Sequence, residues 1–386
     1  MLTIFNLITL AYSAWGALYQ LLFSIAGIFY KPLKMVETKR LRRMAVLIPA
    51  YREDAVIVPT VTAALQQDYP QQQYQIVVIA DQLQQDTVAQ LRQMPIEVIE
   101  VAFEKSTKSK SLRQALDVLR GRGYEVAVIL DADNGMKSDF LSRVNQSFSA
   151  GVRVLQGRRM AKNGQTNFAL LDAASEDANN HILCKGHRAL GLSARLAGSG
   201  MAFDYALFDQ TMQHVEAIGG FDKELELRLT KVGETIEYDE NTIVFDEKVS
   251  QSKQFSRQRS RWLAAQYQYA ERFLPDAVVQ FLLKGQLDFL NKSLQMTLPP
   301  RLVLPFALAF GALVNFVFAT DFVLFWALAL GFNLLSFALA LPKYCFQIQN
   351  LKIWRDVPSA LWATLKALTQ MRVARRQFIH TAHHIA

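Results

Sequence analysis

The chain has 386 residues, 51% of them hydrophobic and 20% charged, and a formal net charge of +8. This length has room for one large soluble domain and additional elements, and the positive charge suits contact with anionic lipid headgroups or phosphates. No nucleic-acid-binding motif occurs, so we expect no nucleic acid partner. The two cysteines, Cys184 and Cys345, lie far apart and predict buried thiols, which excludes a disulfide framework and a cysteine zinc site.

The first 30 residues predict a membrane-spanning helix. Residues 1–30 carry no charged side chain, and about 20 apolar residues in a helix cross a bilayer core of about 30 Å. A cleaved signal peptide begins with basic residues, whereas the first basic residue here is Lys31, so we predict a retained span. Six basic residues between 31 and 43 place the following domain on the cytoplasmic side by the positive-inside rule.

A second apolar block covers residues 302–341 and holds one charge, Asp321, near its midpoint. One helix of that length would measure about 60 Å, twice a bilayer core, so we predict a hairpin of two spans that turns near Asp321. Basic residues follow the block, which places the C-terminal side in the cytoplasm. We therefore expect a multi-pass protein of the cell membrane with about three spans.

Two further segments predict amphipathic helices in the lipid headgroup plane, because each mixes apolar and basic residues. Residues 276–298 follow Pro275, and residues 351–378 carry Trp354 and Trp362. The alternative is that either segment packs on the soluble domain.

Residues 40–270 predict one α/β domain. Short apolar runs at 44–50, 74–81, 96–101 and 126–130 alternate with helical patterns. This alternation is typical of a mostly parallel central sheet. Neither GxGxxG nor GxxxxGK[ST] occurs in the sequence, so we expect neither a dinucleotide oxidoreductase nor a P-loop enzyme.

Polar side chains stand where the predicted strands end. Tyr51 and Glu53 follow the first strand, Asp81 ends the second, and Asp131 and Asp133 follow the fourth. Ligands of parallel sheets bind at these carboxyl ends. Alternate residues of an extended strand point the same way, so the last two carboxylates can meet one small cation that holds a phosphorylated ligand. An Asp-rich turn without a metal is the alternative.

Motifs in residues 44–270 resemble the membrane-embedded family 2 glycosyltransferases, the group of cellulose, chitin and hyaluronan synthases. Residues 48–53, IPAYRE, resemble the opening nucleotide-binding segment of that family. Residues 131–133, DAD, are similar to its DxD motif, and residues 258–262, QRSRW, match its QxxRW signature. The resemblance implies a GT-A-like nucleotide-sugar-binding domain.

The resemblance also implies roles for individual residues. The implied substrate-binding residues are Tyr51, Glu53, Asp81, Lys108, Asp131, Gly198, Ser199, Gly200, Gln258, Arg259, Arg261 and Trp262. Asp133, together with Asp131, would hold Mg²⁺ or Mn²⁺. Asp81 would contact the uracil ring, and the two arginines suit a diphosphate. The Trp262 ring would face the acceptor sugar. Headgroup contact for the arginines and an interfacial anchor for the tryptophan remain open.

The general base departs from the family pattern, which usually has Thr-Glu-Asp before Leu-Glu-Leu. Residues 221–227 read FDKELEL, which by register places Glu224 at the position of the base and leaves Asp222 as the alternative. A second acidic pair, Glu176 and Asp177, falls in a helical window, and we expect it to be structural.

The implied reaction is inverting, metal-dependent transfer of a hexose from a nucleotide donor, expected to be UDP-linked, to a growing polysaccharide or glycan. Three spans are few for a secretion channel, so a homo-oligomer or a secretion partner is one possibility. Transfer of a single sugar to a polyprenyl-phosphate lipid is another. A membrane scaffold that binds sugar without turnover is the non-enzyme alternative.

Overall fold

The computed structural model of the protein describes residues 2–162, 166–247 and 252–374. The strands are β1 (Met44–Tyr51), β2 (Tyr74–Asp81), β3 (Glu97–Val101), β4 (Val126–Ile129), β5 (Gly135–Met136), β6 (Val154–Ala161), β7 (Met201–Asp204) and β8 (Glu237–Asp246). The helices before β8 are α1 (Leu2–Ile28), α2 (Asp54–Ala64), α3 (Gln85–Arg92), α4 (Lys108–Leu119), α5 (Phe140–Ser149), α6 (Asn167–Asn179), α7 (His187–Ala189), α8 (Tyr205–Met212) and α9 (Phe221–Lys231). The helices after it are α10 (Ser252–Lys284), α11 (Leu287–Gln295), α12 (Leu304–Val317), α13 (Val323–Ala340) and α14 (Val357–Ala374).

All eight strands form one sheet in the order β3-β2-β1-β4-β7-β6-β8-β5. The four strands expected from the apolar runs pair in parallel, and β6 pairs in parallel with β8. β7 is antiparallel to β4 and β6, and β5 is antiparallel to β8. The expected α/β domain with a mostly parallel sheet is confirmed. The sequence did not reveal β6, because Gly157 and two arginines interrupt its apolar pattern.

Helices cover both faces of the sheet, which explains the uninterrupted apolar strands. On β1, Ala45 and Leu47 belong to a core with α4, α8, α9 and α10. The alternate residues Met44, Val46 and Ile48 belong to a second core with α2 and α5. Strands buried on both faces lack the apolar–polar alternation of a half-exposed strand. The helices thereby leave the carboxyl ends of β1, β2 and β4 as the accessible edge.

Helix α1 packs closely on the domain through small residues. A Cβ atom on Gly186, which ends a π-helical turn at Asn180–Gly186, would lie 2.1 Å from the carbonyl oxygen of Phe23. The Tyr19 hydroxyl lies 3.0 Å from His187 Nε2. The Ser24 hydroxyl lies 2.8 Å from that of Ser336 on α13. Helix α1 is therefore part of the folded body.

Among the described residues, α1 and α13 are the two helices long and apolar enough to cross a membrane. Helix α12 has 14 residues, which rise about 21 Å at 1.5 Å per residue, less than a bilayer core of about 30 Å. The predicted hairpin is present as two apolar helices, but its first helix is short. Three membrane spans therefore stay a prediction.

In residues 276–298, the observed helices differ from the predicted amphipathic helix. α10 continues through Pro275 to Lys284, and α11 is a separate helix. The side chains of Phe289 and Lys292 on α11 are fully buried, so this helix belongs to the domain. Exposed apolar side chains lie at the end of α10, where Leu282 is 75% exposed, and at Leu287, the first residue of α11.

The predicted segment 351–378 is a 3₁₀ stretch, Ile348–Asp356, followed by α14, and residues 375–378 lie outside the described part of the chain. Ala360 and Ala363 of α14 are buried, whereas Trp362 is 71% exposed. One face of α14 thus packs on the protein, and the other keeps the exposed tryptophan expected of an interfacial helix.

We expect Gly186→Ala to lower the apparent Tm in detergent, because its Cβ would overlap the Phe23 carbonyl. Overpacking of this kind typically costs about 1–3 kcal/mol. Gly331→Ala on α13 is the control, since a Cβ there meets no atom within 4 Å. Equal Tm values for the two variants would contradict the close packing of α1.

Candidate active site

The turn after β4 is held by a lysine and a glycine loop. The backbone N–H of Asp131 donates to Ser199 Oγ at 3.0 Å. Lys108 Nζ pairs with the Asp131 carboxylate and donates to the Gly198 carbonyl at 2.7 Å. Gly198 and Gly200 have φ values of 84° and 64°, the left-handed region that favours glycine. The loop of implied substrate-binding residues, Gly198–Gly200, therefore also fixes the carboxylate turn.

A third carboxylate lies near this turn and was missed by the sequence reasoning. With the Asn134 amide nitrogen facing the carboxylates, it donates to Asp133 Oδ1 at 3.0 Å and to Asp246 Oδ1 at 3.2 Å. The Asn134 oxygen then accepts from Ser199 Oγ at 2.7 Å. Asp246 also forms an ion pair with Arg159. No motif marked Asp246, because it reaches the site only through the position of β8 in the sheet.

The acidic turn fits a hard divalent cation. Asp131 and Asp133 offer carboxylate oxygens, which Mg²⁺ prefers among protein ligands. Within 2–162, 166–247 and 252–374, no group of three or more His, Cys, Asp or Glu residues could hold a metal. Two carboxylates match the usual protein share of such a site, where substrate phosphates and water supply the other ligands. Asp131 already pairs with Lys108, and Asp133 is 8% exposed beside it.

The ends of β1 and β2 form the second part of the site. Asp81 is 1% exposed, its Oδ1 accepts from Ser106 Oγ at 3.0 Å, and burial raises its pKa. The next residues after the strands, Arg52 and Gln82, have φ values of 56° and 57°. These values are uncommon for residues other than glycine, and such strain clusters at functional sites. The Arg52 guanidinium donates to Gln82 Oε1 at 2.6 and 2.8 Å.

The predicted nucleotide-contacting residues are brought together at this edge. Tyr51 is the register partner of Asp81, and the Arg52 guanidinium lies 5.2 Å from the centre of its ring. Glu53 is 9% exposed and directly precedes α2. Tyr51, Glu53 and Asp81 thus share one edge, as the sequence predicted, and Arg52 and Gln82 join them.

Glu224 does not face the acidic turn. It is fully buried, and its Oε1 accepts from Arg228 Nη2 at 2.6 Å and Arg272 Nη1 at 3.3 Å. Its Oε2 accepts from the backbone N–H of Glu216 at 3.1 Å. A carboxylate with both oxygens engaged and no exposed surface is poorly placed to take a proton from an acceptor.

Asp222 is the better candidate for the base. A Cβ on Gly198 would lie 3.9 Å from the Asp222 carboxylate, so this group borders the loop that contacts Lys108. Lys108 Nζ also lies 4.9 Å from the centre of the Phe221 ring at the start of α9. Asp222 is partly exposed. The geometry therefore favours Asp222, the alternative from the sequence, over Glu224.

The signature residues Gln258, Arg259, Arg261 and Trp262 lie on α10. Arg259 Nη2 lies 3.1 Å from Asp172 Oδ1, and its guanidinium lies 4.9 Å from the centre of the Trp262 ring. Burial lowers the pKa of Arg261. Arg259 and Trp262 line a cavity of about 750 Å³. Contacts of the signature with a diphosphate or an acceptor sugar stay predictions.

The second acidic pair, Glu176 and Asp177, and the two cysteines lie at positions that suit a structural role. Glu176 pairs with Arg195 at 2.7 Å, and Asp177 pairs with Arg158 at 3.1 Å. Both lie on α6, which agrees with a structural helix face. The two thiols are buried and free, as expected.

Together, the sheet and its polar carboxyl edge have the arrangement of a GT-A-like domain, an α/β fold class of glycosyltransferases. The family model described as glycosyltransferase-like family 2 matches residues 42–265, so the chain belongs to this family of transferases. No curated protein matches the chain.

One solved structure shares the fold, and a second is similar to a lesser degree. The mannosyltransferase PcManGT from Pyrobaculum calidifontis, in complex with GDP-Man and Mn²⁺, has a TM-score of 0.61 and 16% identity. The match covers 95% of this chain and 98% of that one. Residues 1–349 of S. aureus TarS match with a TM-score of 0.44 and 14% identity, over 86% of this chain and 90% of that one. At these identities the likeness concerns the fold alone.

We expect Asp81→Asn to raise the apparent Tm at pH 7. Burial raises the pKa of Asp81, so this group stabilises the fold below its unfolded pKa of about 3.9, and that stabilisation is lost as pH rises through the folded value. The gain in the variant should therefore shrink as pH falls toward about 4. Glu104→Gln, an exposed loop change, is the control, and a gain independent of pH would contradict this reasoning.

Proposed function

We propose that the protein transfers a sugar, with inversion, from a nucleotide-sugar donor to an acceptor hydroxyl. The observation that carries this proposal is the meeting of Asp131, Lys108, Gly198 and Asp222 at one edge of a family 2 glycosyltransferase fold. A sugar-binding scaffold without turnover has no chemical need for a candidate base beside the acidic turn. The intact set of charged groups therefore favours an enzyme.

The donor would lie across the carboxyl ends of β1, β2 and β4. Tyr51 would pack near the base, Asp81 would accept from it, and Glu53 would reach the ribose. Asp133 and Asp131 would hold a divalent cation, which when bound neutralises charge on the leaving diphosphate. We expect a UDP-linked donor. The PcManGT structure contains GDP-Man and Mn²⁺, so GDP-linked donors are the first alternative and Mn²⁺ is a reasonable cation to test.

Asp222 would take the proton of the acceptor hydroxyl as its oxygen attacks the anomeric carbon. The new glycosidic bond forms as the bond from that carbon to the diphosphate oxygen breaks. One displacement inverts the configuration at the anomeric carbon. Lys108 keeps Asp131 in place through its ion pair and its hydrogen bond to the Gly198 carbonyl.

We propose that this reaction takes place at the cytoplasmic face of the cell membrane. The support is a set of exposed apolar side chains on three helices, which a membrane would cover. They include Ile4, Phe5 and Ile8 of α1, Phe310, Leu313 and Phe316 of α12, and Leu324, Phe325 and Leu335 of α13. The acceptor in this proposal is a growing polysaccharide or another glycan, with a homo-oligomer or secretion partner as a possible route for export.

We expect Asp222→Asn to lower nucleotide release by about 10²–10⁴-fold, the usual contribution of a general base. The assay mixes protein in nanodiscs with a panel of UDP- and GDP-sugars, Mn²⁺ and a membrane extract that supplies acceptors. The Tm of this variant should match that of the wild type, because its carboxylate borders a loop and is partly exposed.

Glu224→Gln is the matched control. It should lower the Tm, because the amide leaves Arg228 and Arg272 without their buried carboxylate. Activity per folded molecule should fall far less than in Asp222→Asn. Full activity in Asp222→Asn, with loss in Glu224→Gln at unchanged Tm, would return the role of base to Glu224.

We expect Asp133→Asn to weaken Mn²⁺-dependent binding of a nucleoside diphosphate by at least about tenfold, since loss of one charge-assisted ligand is worth about 1.4 kcal/mol or more. Calorimetric titration of UDP and of GDP, each with Mn²⁺ and with EDTA, measures this without turnover. Asp117→Asn, on the exposed surface of α4, is the control. An unchanged difference between Mn²⁺ and EDTA in Asp133→Asn would argue against a metal at this turn.

A further inference from the structure

A cavity of about 750 Å³ lies between the catalytic domain and the apolar helices. This volume is in the range of sites for small organic ligands, about 300–1,000 Å³. Most of its wall is apolar, with Phe168 and Leu171 from α6, Phe306 from α12 and Phe337 from α13. A space walled by helices that expose apolar surface suits a lipid chain better than a soluble sugar.

Positive charge gathers at one part of this wall. Arg301 Nη2 donates to the Ser175 carbonyl at 2.8 Å and lies 3.3 Å from Ser175 Oγ. Arg259 Nη2 lies 3.4 Å from the same hydroxyl, so two guanidinium groups converge on one serine. Arg195 and Lys223 also line the cavity. Four cations therefore border a mostly apolar space.

Two of these cations pair with carboxylates. Arg259 pairs with Asp172, and Arg195 pairs with Glu176. The hydrogen bonds that the structure gives to Arg301 are with the neutral oxygens of Ser175. Burial, with the nearby charges of Arg259 and Arg195, lowers the pKa of Arg301 to about 9. Arg301 thus lies beside two other guanidinium groups and donates to neutral oxygens. Phosphate oxygens are the groups that guanidinium forks match best.

The cavity also reaches the first turn of α9. Lys223 lines it and directly follows Asp222, the proposed base. Trp262, the residue expected to face an acceptor sugar, lines it as well. A ligand held here by its phosphate would therefore have its polar end close to the first turn of α9.

We propose that the acceptor is a lipid-linked glycan, a proposal that rests on the proposed function. Its diphosphate would bind Arg259 and Arg301, its chain would fill the cavity between α6, α12 and α13, and its sugar hydroxyl would face Asp222. The transferred sugar forms its bond to that hydroxyl oxygen, the hydroxyl proton passes to Asp222, and the nucleoside diphosphate leaves.

Binding of farnesyl diphosphate to the full chain in detergent tests this proposal. The two comparison probes are farnesol, which has only the chain, and inorganic diphosphate, which has only the headgroup. Calorimetry in EDTA keeps the probes from binding through a cation at Asp133. We expect farnesyl diphosphate to bind at least tenfold more tightly than either, because the cavity offers both an apolar wall and arginines.

The Arg301→Gln variant should lose most of the preference for farnesyl diphosphate over farnesol. Arg92→Gln, at an exposed ion pair on α3, should keep it. Farnesyl diphosphate should also remain bound when UDP, GDP and Mn²⁺ are added, since the donor occupies another site.

Three outcomes would overturn the proposal: equal affinity for farnesol and farnesyl diphosphate in the wild type, no binding of either, or displacement by nucleotide. The wild-type comparison decides even if Arg301→Gln does not fold. Because these titrations involve no turnover, their failure is separate from a failure of Asp222→Asn to lose activity. If the titrations fail but Asp222→Asn loses activity, the transferase proposal stands with a soluble acceptor.

Discussion

The contact of Lys108 with Asp131 and the Gly198 carbonyl is the constraint on which the site depends. It joins the first residue of α4, the turn after β4 and the loop before β7, segments up to 90 residues apart. The turn after β4 carries carboxylates of the proposed donor site, and the loop before β7 borders Asp222. A single lysine therefore couples the position of the carboxylates proposed to hold the cation to that of the proposed base. Its ammonium also balances a carboxylate that would otherwise repel Asp133.

At the start of α9, the carboxylates of Asp222 and Glu224 face different surroundings. Residues two apart on an α-helix point about 200° apart. Because Glu224 faces inward to Arg228 and Arg272, Asp222 must face the opposite side, toward the glycine loop. Gly220, at φ 63°, lets the chain turn sharply into the helix. The buried ion pairs of one carboxylate thus orient the helix that presents the other.

The sequence was sufficient where a local pattern decides the structure. Parallel strands buried on both faces appear as apolar runs, and the rule for strand ends grouped Tyr51, Asp81 and Asp131 correctly. The sequence was insufficient where tertiary packing decides which residues meet. Asp246 reaches the acidic turn only because β8 pairs beside β6. The motif register alone favoured Glu224 over Asp222 as the base. It could not do better, because the rotation of a helix depends on the partners that its buried face meets.

The carboxylates that act on Arg159 belong partly to the proposed donor site and partly to an ion pair at the cavity. Burial alone would lower the pKa of Arg159, but Asp246, then Glu176, Asp131 and Asp133 more than offset this, and the net effect raises it. Glu176 in turn pairs with Arg195, which lines the cavity. The donor side is thus acidic and suited to a cation, whereas the cavity side is basic and suited to an anion. If both substrates carry diphosphates, each has its own counter-charge, so two anions can approach without sharing one set of cations.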